Sequence, residues 1–433
     1  MYKLSKDRPM NFLSKHLTIS IIALFASIPI LQAQNTKGLY IPQSLRDNDF
    51  NNPESQWSYD RMATTENFVV FWEKGFGKDL ANAPKLDGQN MSVDLKNLLE
   101  KLETYYTFYR DELKFVLPNS KTERYKMMVM LNYSLEGTAY GGDYDREIGA
   151  LWISPNRVQD KKLNCIAHEL GHSFQSQISS DGQGEAWGGG GIFEMASQWM
   201  LWNVNPEWTT DENYHWQDFK KKFHLQFLHS SNIYHSPYVL EYWSMRRGKT
   251  IIGDLFRHGR RGEDPLCTYM RLHNINLENT ADEMYDCYAR LQTFDFPRIK
   301  DSHRKFAGEM STAMQTNSDG SMTPQHNFAP GTFGFNVIDI NIPNNKNIVT
   351  VTFEGIGNKA KDGFRYGLIA IDNNGNAQYS KTGSSFKGKV DMKINDNTNM
   401  LKMVVMGYPK DKYTHISRND KNARIYNYKI TIK

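Results

Sequence analysis

Residues 165–172 read CIAHELGH. On a helix, residues four apart stand one above the other, so His168 and His172 can turn both imidazoles to one metal ion. Glu169, next to the first histidine, can reach a water bound to that ion. The pattern constrains the fold in two ways. Its segment has to be a helix, and another element has to deliver a third ligand, because a catalytic zinc takes three protein ligands and keeps one position open. Leu163, Ile166, Ala167, Leu170 and Phe174 recur at helical spacing and predict the same helix independently. Cys165, one turn before His168, reads as core packing with Ile166 and Leu170.

A third histidine six residues after the second would complete one form of such a site, but position 178 is Ile178. A downstream glutamate fits instead. Glu194 lies 22 residues after His172, in GIFEMASQWM, on a second helix expected from about Ile192. Glu185, in GQGEAWGG, is the rival. It sits among glycines in a loop, where a ligand is harder to hold rigid, so Glu194 is favoured. A zinc ion (Zn2+) held there lowers the pKa of its bound water from near 16 to about 7. Glu169 is then the general base that takes the proton and passes it to the leaving amine.

HELGH followed by a helix FEMASQ resembles the thermolysin-type, glutamate-ligand zinc peptidases, the gluzincins. In their second motif a ligand glutamate is followed by a small residue, a serine and an acidic residue. The corresponding positions hold Glu194, Ala196, Ser197 and Gln198. The resemblance implies Glu194 as the third ligand and puts Gln198 where an aspartate usually orients a ligand histidine. An amide accepts that hydrogen bond without a charge, so it raises histidine basicity less. It further implies an oxyanion donor, tyrosine or histidine, from a later helix. IYHSPYVLEYW (233–243) offers Tyr234, His235, Tyr238 and Tyr242, with His235 first and Tyr238 second. Aromatics in such a run otherwise pack in a core. Less specifically, the whole mature chain resembles an uncharacterised family of exported, predicted zinc peptidases with a C-terminal β domain. NFVVFWEKG, HELGHSFQ, EMASQWM, YGLIAIDNNGNAQYS and VVMGYP carry that resemblance.

The address is written in the first 33 residues. A basic stretch ending at Lys15 leads into LTISIIALFASIPILQA, which reads as a signal peptide cut after Ala33. No later run is long and apolar enough to suggest a membrane span. The formal charge of +4 falls mostly there, where Lys3, Lys6, Arg8 and Lys15 outweigh Asp7. The remainder is close to neutral and gives no reason to invoke nucleic acid or an anionic membrane. Three cysteines, Cys165, Cys267 and Cys287, are too few for a disulfide scaffold. A Cys267–Cys287 bridge and free buried thiols both stay open.

Along the chain, NFVVFWEK, YKMMVMLNY and EIGALWISP read as strands, the last as an edge strand before the motif helix. Residues 92–114 read as a long amphipathic helix, and 215–310 as mostly helical. From about 318 the composition changes. TNSDGSMTPQHNFAPGT has the character of a linker. FGFNVIDINI, NIVTVTF, YGLIAI, KMVVMGY and YNYKITIK follow as short alternating runs, the pattern of an antiparallel sandwich. The expected plan is α+β: leader 1–33, zincin-like catalytic domain 34–317, linker 318–332, and β-sandwich 333–433.

The leading reading is an exported zinc metallopeptidase acting on a protein or peptide, glycoproteins included. Its rival is a zincin-fold protein without activity that binds carbohydrate or a surface through the β domain. A third reading, zinc merely holding helices together, requires four protein ligands. An intact Glu169 favours the first, since a decayed site often loses its base.

Overall fold

The computed structural model describes residues 37–184, 187, 191–342, 347–414 and 423–433. The expected leader and the rival ligand Glu185 lie outside the described residues. β1 (Met62–Thr64), β2 (Phe68–Trp72), β3 (Met127–Leu131), β4 (Ala139–Tyr144) and β5 (Ile148–Ile153) form a sheet ordered β1-β2-β3-β5-β4. The runs FVVFW and MMVML are buried at every position because β2, β3 and β5 are parallel and covered on both faces. On one face lie α1 (Leu95–Asp111) and α2 (Asn164–Ser180), with Tyr106, Tyr109 and Phe174 edge to face. The lead-in covers the other face, burying Phe50 and Trp57 against Val69, Phe71 and Met130.

The edge strand differs from the sequence expectation. β5, which carries GALWI, sits inside the sheet, and the edge is β4, antiparallel to it. Its sequence AYGGDY has no apolar alternation and two glycines, so it carries no strand signal. The glycine is there because α2 presses on it: a Cβ on Gly141 would lie 1.8 Å from the carbonyl oxygen of Glu169.

α3 (Gly191–Val204) follows α2 and packs across it. Then come α4 (Trp208–Asp211), α5 (Tyr214–Lys222), α6 (Tyr238–Arg247), α7 (Ile251–His258), α8 (Pro265–His273), α9 (Leu277–Leu291) and α10 (Lys300–His303). Cys165, Cys267 and Cys287 are free thiols, which removes the Cys267–Cys287 bridge.

The C-terminal part is an all-β sandwich. β6 (Met314–Thr316), β7 (Met322–Pro324), β9 (Ile348–Ile356), β12 (Lys387–Lys393) and β14 (Asn427–Ile432) make one sheet, ordered β12-β9-β14-β7-β6. β8 (Phe335–Asp339), β10 (Asp362–Asp372), β11 (Ala377–Tyr379) and β13 (Thr398–Pro409) make the other, ordered β11-β10-β13-β8. The stretch 318–332, which composition reads as a linker, instead carries β7, paired with β14 through Met322 and Ile430. Polar turn residues around a three-residue strand hide it from a compositional reading.

Nor is the sandwich a separate bead. Phe333, Phe335, Ile369, Val404 and Tyr408 share one buried cluster with Trp216, Phe219, Tyr285 and Tyr288. Over that seam Arg365, almost fully buried, donates to Glu278 at 2.7 Å and Asp282 at 2.5 Å, while the Tyr408 hydroxyl donates to Glu278 at 2.7 Å. A shared core melts as one unit. Scanning calorimetry should therefore show one transition for the chain, and Arg365→Ala should lower its midpoint without splitting it. Two resolved transitions would contradict the shared core.

Candidate metal centre

The motif helix meets α3 at a point of close approach. A Cβ on Gly171 would lie 2.8 Å from Ser197 Oγ, so the glycine inside HELGH lets the two helix axes come together. That approach delivers Glu194, in the first turn of α3, to the two histidines of α2. Glu194 Oε2 lies 3.2 Å from His168 Nε2 and 3.1 Å from His172 Nε2, and the two nitrogens are 3.1 Å apart. Four bonds of about 2.0–2.1 Å in a tetrahedron place neighbouring donor atoms roughly 3.3 Å apart, close to this triangle. His168, His172 and Glu194 are the one metal-ligand group of this kind among the described residues.

The hydrogen bonds behind the rings decide what the triangle is. His168 Nδ1 is 3.0 Å from Gln198 Oε1, and His172 Nδ1 is 3.1 Å from Gln175 Oε1. Each amide is oriented by what its nitrogen must meet. Gln198 Nε2 donates to the carbonyl of Tyr234, and Gln175 Nε2 donates to the carbonyl of Phe193. Both amide oxygens therefore face histidine, and this network assigns the ring protons to Nδ1. Both Nε2 atoms are then bare lone pairs, aimed at each other and at a carboxylate oxygen. Three acceptors without a donor call for a cation between them, whether protons or a metal ion.

The electrostatics agree. Burial pushes Glu194 upward, but hydrogen bonds and charge from His168 and His172 outweigh it and hold the carboxyl well below the usual range. Burial depresses His172, yet Glu194 more than reverses this, so its pKa is raised. For Glu169 burial dominates and raises the carboxyl, with His168 and His172 pulling the other way. Its Oε2 accepts a 2.9 Å hydrogen bond from the Gly141 amide, which ties it to the edge strand β4.

The aromatic run after α5 is arranged differently from the expectation. His235 turns Nδ1 to His215, 2.7 Å away, and Nε2 towards Asp218 at 3.9 Å. Burial, then the charge of His215, lower its pKa to about 4. Tyr238 is buried among Trp202, Trp216, Phe219 and Phe294. The partners of these two rings are thus His215, Asp218 and the core aromatics rather than His168, His172 or Glu194. The ring of Tyr234 stacks against His168 with centroids 6.0 Å apart, and it remains 42% exposed. Burial, the Glu194 charge and a hydrogen bond to Glu194 raise its phenol to about 12. Sequence reading missed Gln175 and ranked Tyr234 below its neighbours. Gln175 had a legible signal, since it follows His172 by three residues and so shares its helix face. Tyr234 had none beyond being one of several aromatics.

A family described only as one of unknown function (DUF6055) matches residues 31–433. The chain belongs to this family. Membership brings no activity with it, because the family's description gives none. Comparison with curated proteins finds no match. Among solved structures, the ZmpB metallopeptidase from Clostridium perfringens is 16% identical with a TM-score of 0.30, covering 86% of this chain and 69% of that one. The M60 catalytic domain of ZmpC from Clostridium perfringens, solved with the sialyl T antigen, is 13% identical with a TM-score of 0.29, covering 84% and 70%. The C-terminal family 22 carbohydrate binding module of Clostridium thermocellum Xyn10B is 12% identical with a TM-score of 0.18, covering 28% and 77%. At these values the likenesses decide nothing about this chain's chemistry.

The member described here depends on Gly141 as much as on any charged residue. Gly141→Ala would push β4 off α2 and shift the amide that holds Glu169. Urea denaturation should register a loss of about 1–3 kcal/mol, the usual cost of overpacking. An unchanged midpoint would mean that strand and helix are not in contact there.

Proposed function

We propose that this protein is an exported zinc metallopeptidase, with zinc held by His168, His172 and Glu194. The observation that carries the reading is the convergence of three bare acceptor atoms at 3.1–3.2 Å. Three donors among the described residues match the ligand number of a catalytic site. Zinc bound there would supply an activated water and polarise a substrate carbonyl.

The residues around it divide the remaining work. Glu169 accepts the proton of the attacking water and hands it to the leaving amine; burial, which raises its carboxyl above the ordinary range, favours it as a proton acceptor. The Gly141 amide holds one of its oxygens and limits its rotation. Tyr234 keeps its proton up to about 12 and stays partly exposed beside His168, so it is the donor for the developing oxyanion. It takes the role first assigned to His235 and Tyr238, whose polar atoms are committed elsewhere or enclosed in the core. No helix among the described residues is long and apolar enough to cross a membrane. Substrates to test are proteins, peptides and glycoproteins.

The carbohydrate-binding alternative finds less support in the sandwich. β10 and most of β13 are buried on both faces, with α9 packed against them. The outer face of the other sheet presents Thr350, Thr352, Glu354, Lys389, Lys429 and Thr431, while the aromatic rings of β9 and β14, Phe353 and Tyr428, are buried on the inner face and out of reach of a sugar.

Glu169→Gln should leave zinc binding intact and lower hydrolysis of casein or a peptide library by about 10²–10⁴-fold, the usual share of a general base. Undiminished hydrolysis would remove Glu169 from the mechanism. Zinc uptake should also release protons. His172 titrates above its ordinary 6.5 in the metal-free protein, so acid competes with the metal as pH falls through that raised value. Chelator competition should show weaker zinc binding at about pH 5.5 than at about pH 7.5. Equal affinity at both would rule out His172 as a ligand.

A further inference from the structure

Gln198 stands where the gluzincin pattern has an acidic residue, and its surroundings give a reason. The side chain is 3% exposed and its amide is used at both ends. Oε1 faces His168 Nδ1 at 3.0 Å. Nε2 donates to the Tyr234 carbonyl at 3.1 Å and lies 3.2 Å from His215 Nε2. A carbonyl oxygen can only accept, so whatever faces Tyr234 there has to donate. An ionised carboxylate can serve His168, and serves it better than an amide, but its other oxygen would confront the Tyr234 carbonyl inside the protein. That contact is repulsive and buried.

We infer that Gln198 is a positioning residue that holds both the ligand His168 and the backbone of Tyr234 with one amide. The inference rests on the zinc-peptidase reading. Tyr234 has few other anchors. The next residue is tied through its ring, His235 to His215, and through its amide to the carbonyl of Asn232 at 3.0 Å. The Gln198 bond is what fixes the carbonyl of Tyr234 itself, and so the path that brings its ring against His168. The metal ligand and the oxyanion donor are thereby set relative to one another. The charge that an acidic residue would lend His168 is given up for a donor that the tyrosine segment requires.

The test is Gln198→Glu, which keeps the length, supplies the charge and removes the donor. Zinc affinity by chelator competition should equal or exceed that of the native protein. kcat should fall by about the factor that Tyr234→Phe costs, on the order of 10²-fold. Combining the two changes should cost no more than the larger one alone. A crystal structure of metal-free Gln198→Glu should show the Tyr234 ring displaced from His168 with the three ligands in place. Native kcat, losses that multiply in the double variant, or an unmoved Tyr234 would overturn the inference. If Gln198→Glu does not melt cooperatively, Gln198→Met decides the matter. It removes both bonds without adding charge, so zinc should bind about 10–100-fold more weakly and the Tyr234→Phe loss should again not multiply. Native affinity and native kcat in Gln198→Met would overturn it equally. Should the native protein bind no zinc, the peptidase reading fails, and the metal-free crystal structure still tests the clamp.

Discussion

At Gly171 the two helices of the site come so close that a side chain there would run into Ser197, and most of what is distinctive in this molecule follows from that approach. It puts a carboxylate oxygen of α3 within hydrogen-bonding distance of two imidazole nitrogens of α2. It also brings Gln198 to the far side of the His168 ring, as Gln175 of α2 itself stands behind His172, and their oxygens take the Nδ1 protons. Both nitrogens facing inward are left as lone pairs. The site is thus built as an electrostatic deficit, three acceptors in contact, and the fold around it has to be rigid enough to hold them there. A buried triangle of like-behaving acceptors is unstable unless a cation, protons or a metal ion, neutralises it, which sets the site apart from core packing.

The rest of the chain supplies that rigidity from two directions. On the sheet side, α2 rests on β4 so tightly that only glycine fits at position 141, and the amide there restrains Glu169. On the other side the sandwich, far from His168, His172 and Glu194 in sequence, grips the segment before Tyr234. The amide of Phe227 donates to Thr332 and the amide of Phe335 to Phe223, so the start of the β domain runs along 223–227 like an added strand. Phe219 and Phe223 pack against Phe335, and Tyr238 packs on Phe219 behind them, which closes the gap. The β domain is therefore part of the wall that the site is built on, whatever else its outer face does.

Elements with their own period were legible. FVVFW and MMVML announced themselves as buried strands, and the 92–114 pattern gave α1 within a few residues. Elements without a period were not. β4 has a glycine at 141, where an edge strand usually has a larger residue, because a helix lies on it. β7 is three residues long inside a polar stretch, so composition alone made it a linker. Among site residues the same division holds. The histidines and Glu194 could be found because helical spacing fixes where they point once the helices exist. His235 and Tyr238 were reasonable choices within an aromatic run, but adjacent residues in a loop leave it in different directions, and no local rule says which one meets His168.

The sequence by itself determined the chemistry available: two imidazoles on one helix face, a carboxylate beside them, another on the next helix, and a near-neutral chain behind a leader-like start. These follow from covalent spacing and helical geometry, which are local. Only the tertiary structure decided that Tyr234 is the aromatic at the site, that Gln198 meets His168 and the Tyr234 carbonyl together, and that β4 is the edge beside Glu169. Each of those depends on which surfaces meet across long stretches of chain. Contacts of that kind are selected by packing volume and by the need to pair every buried polar group, and neither is written in any single segment.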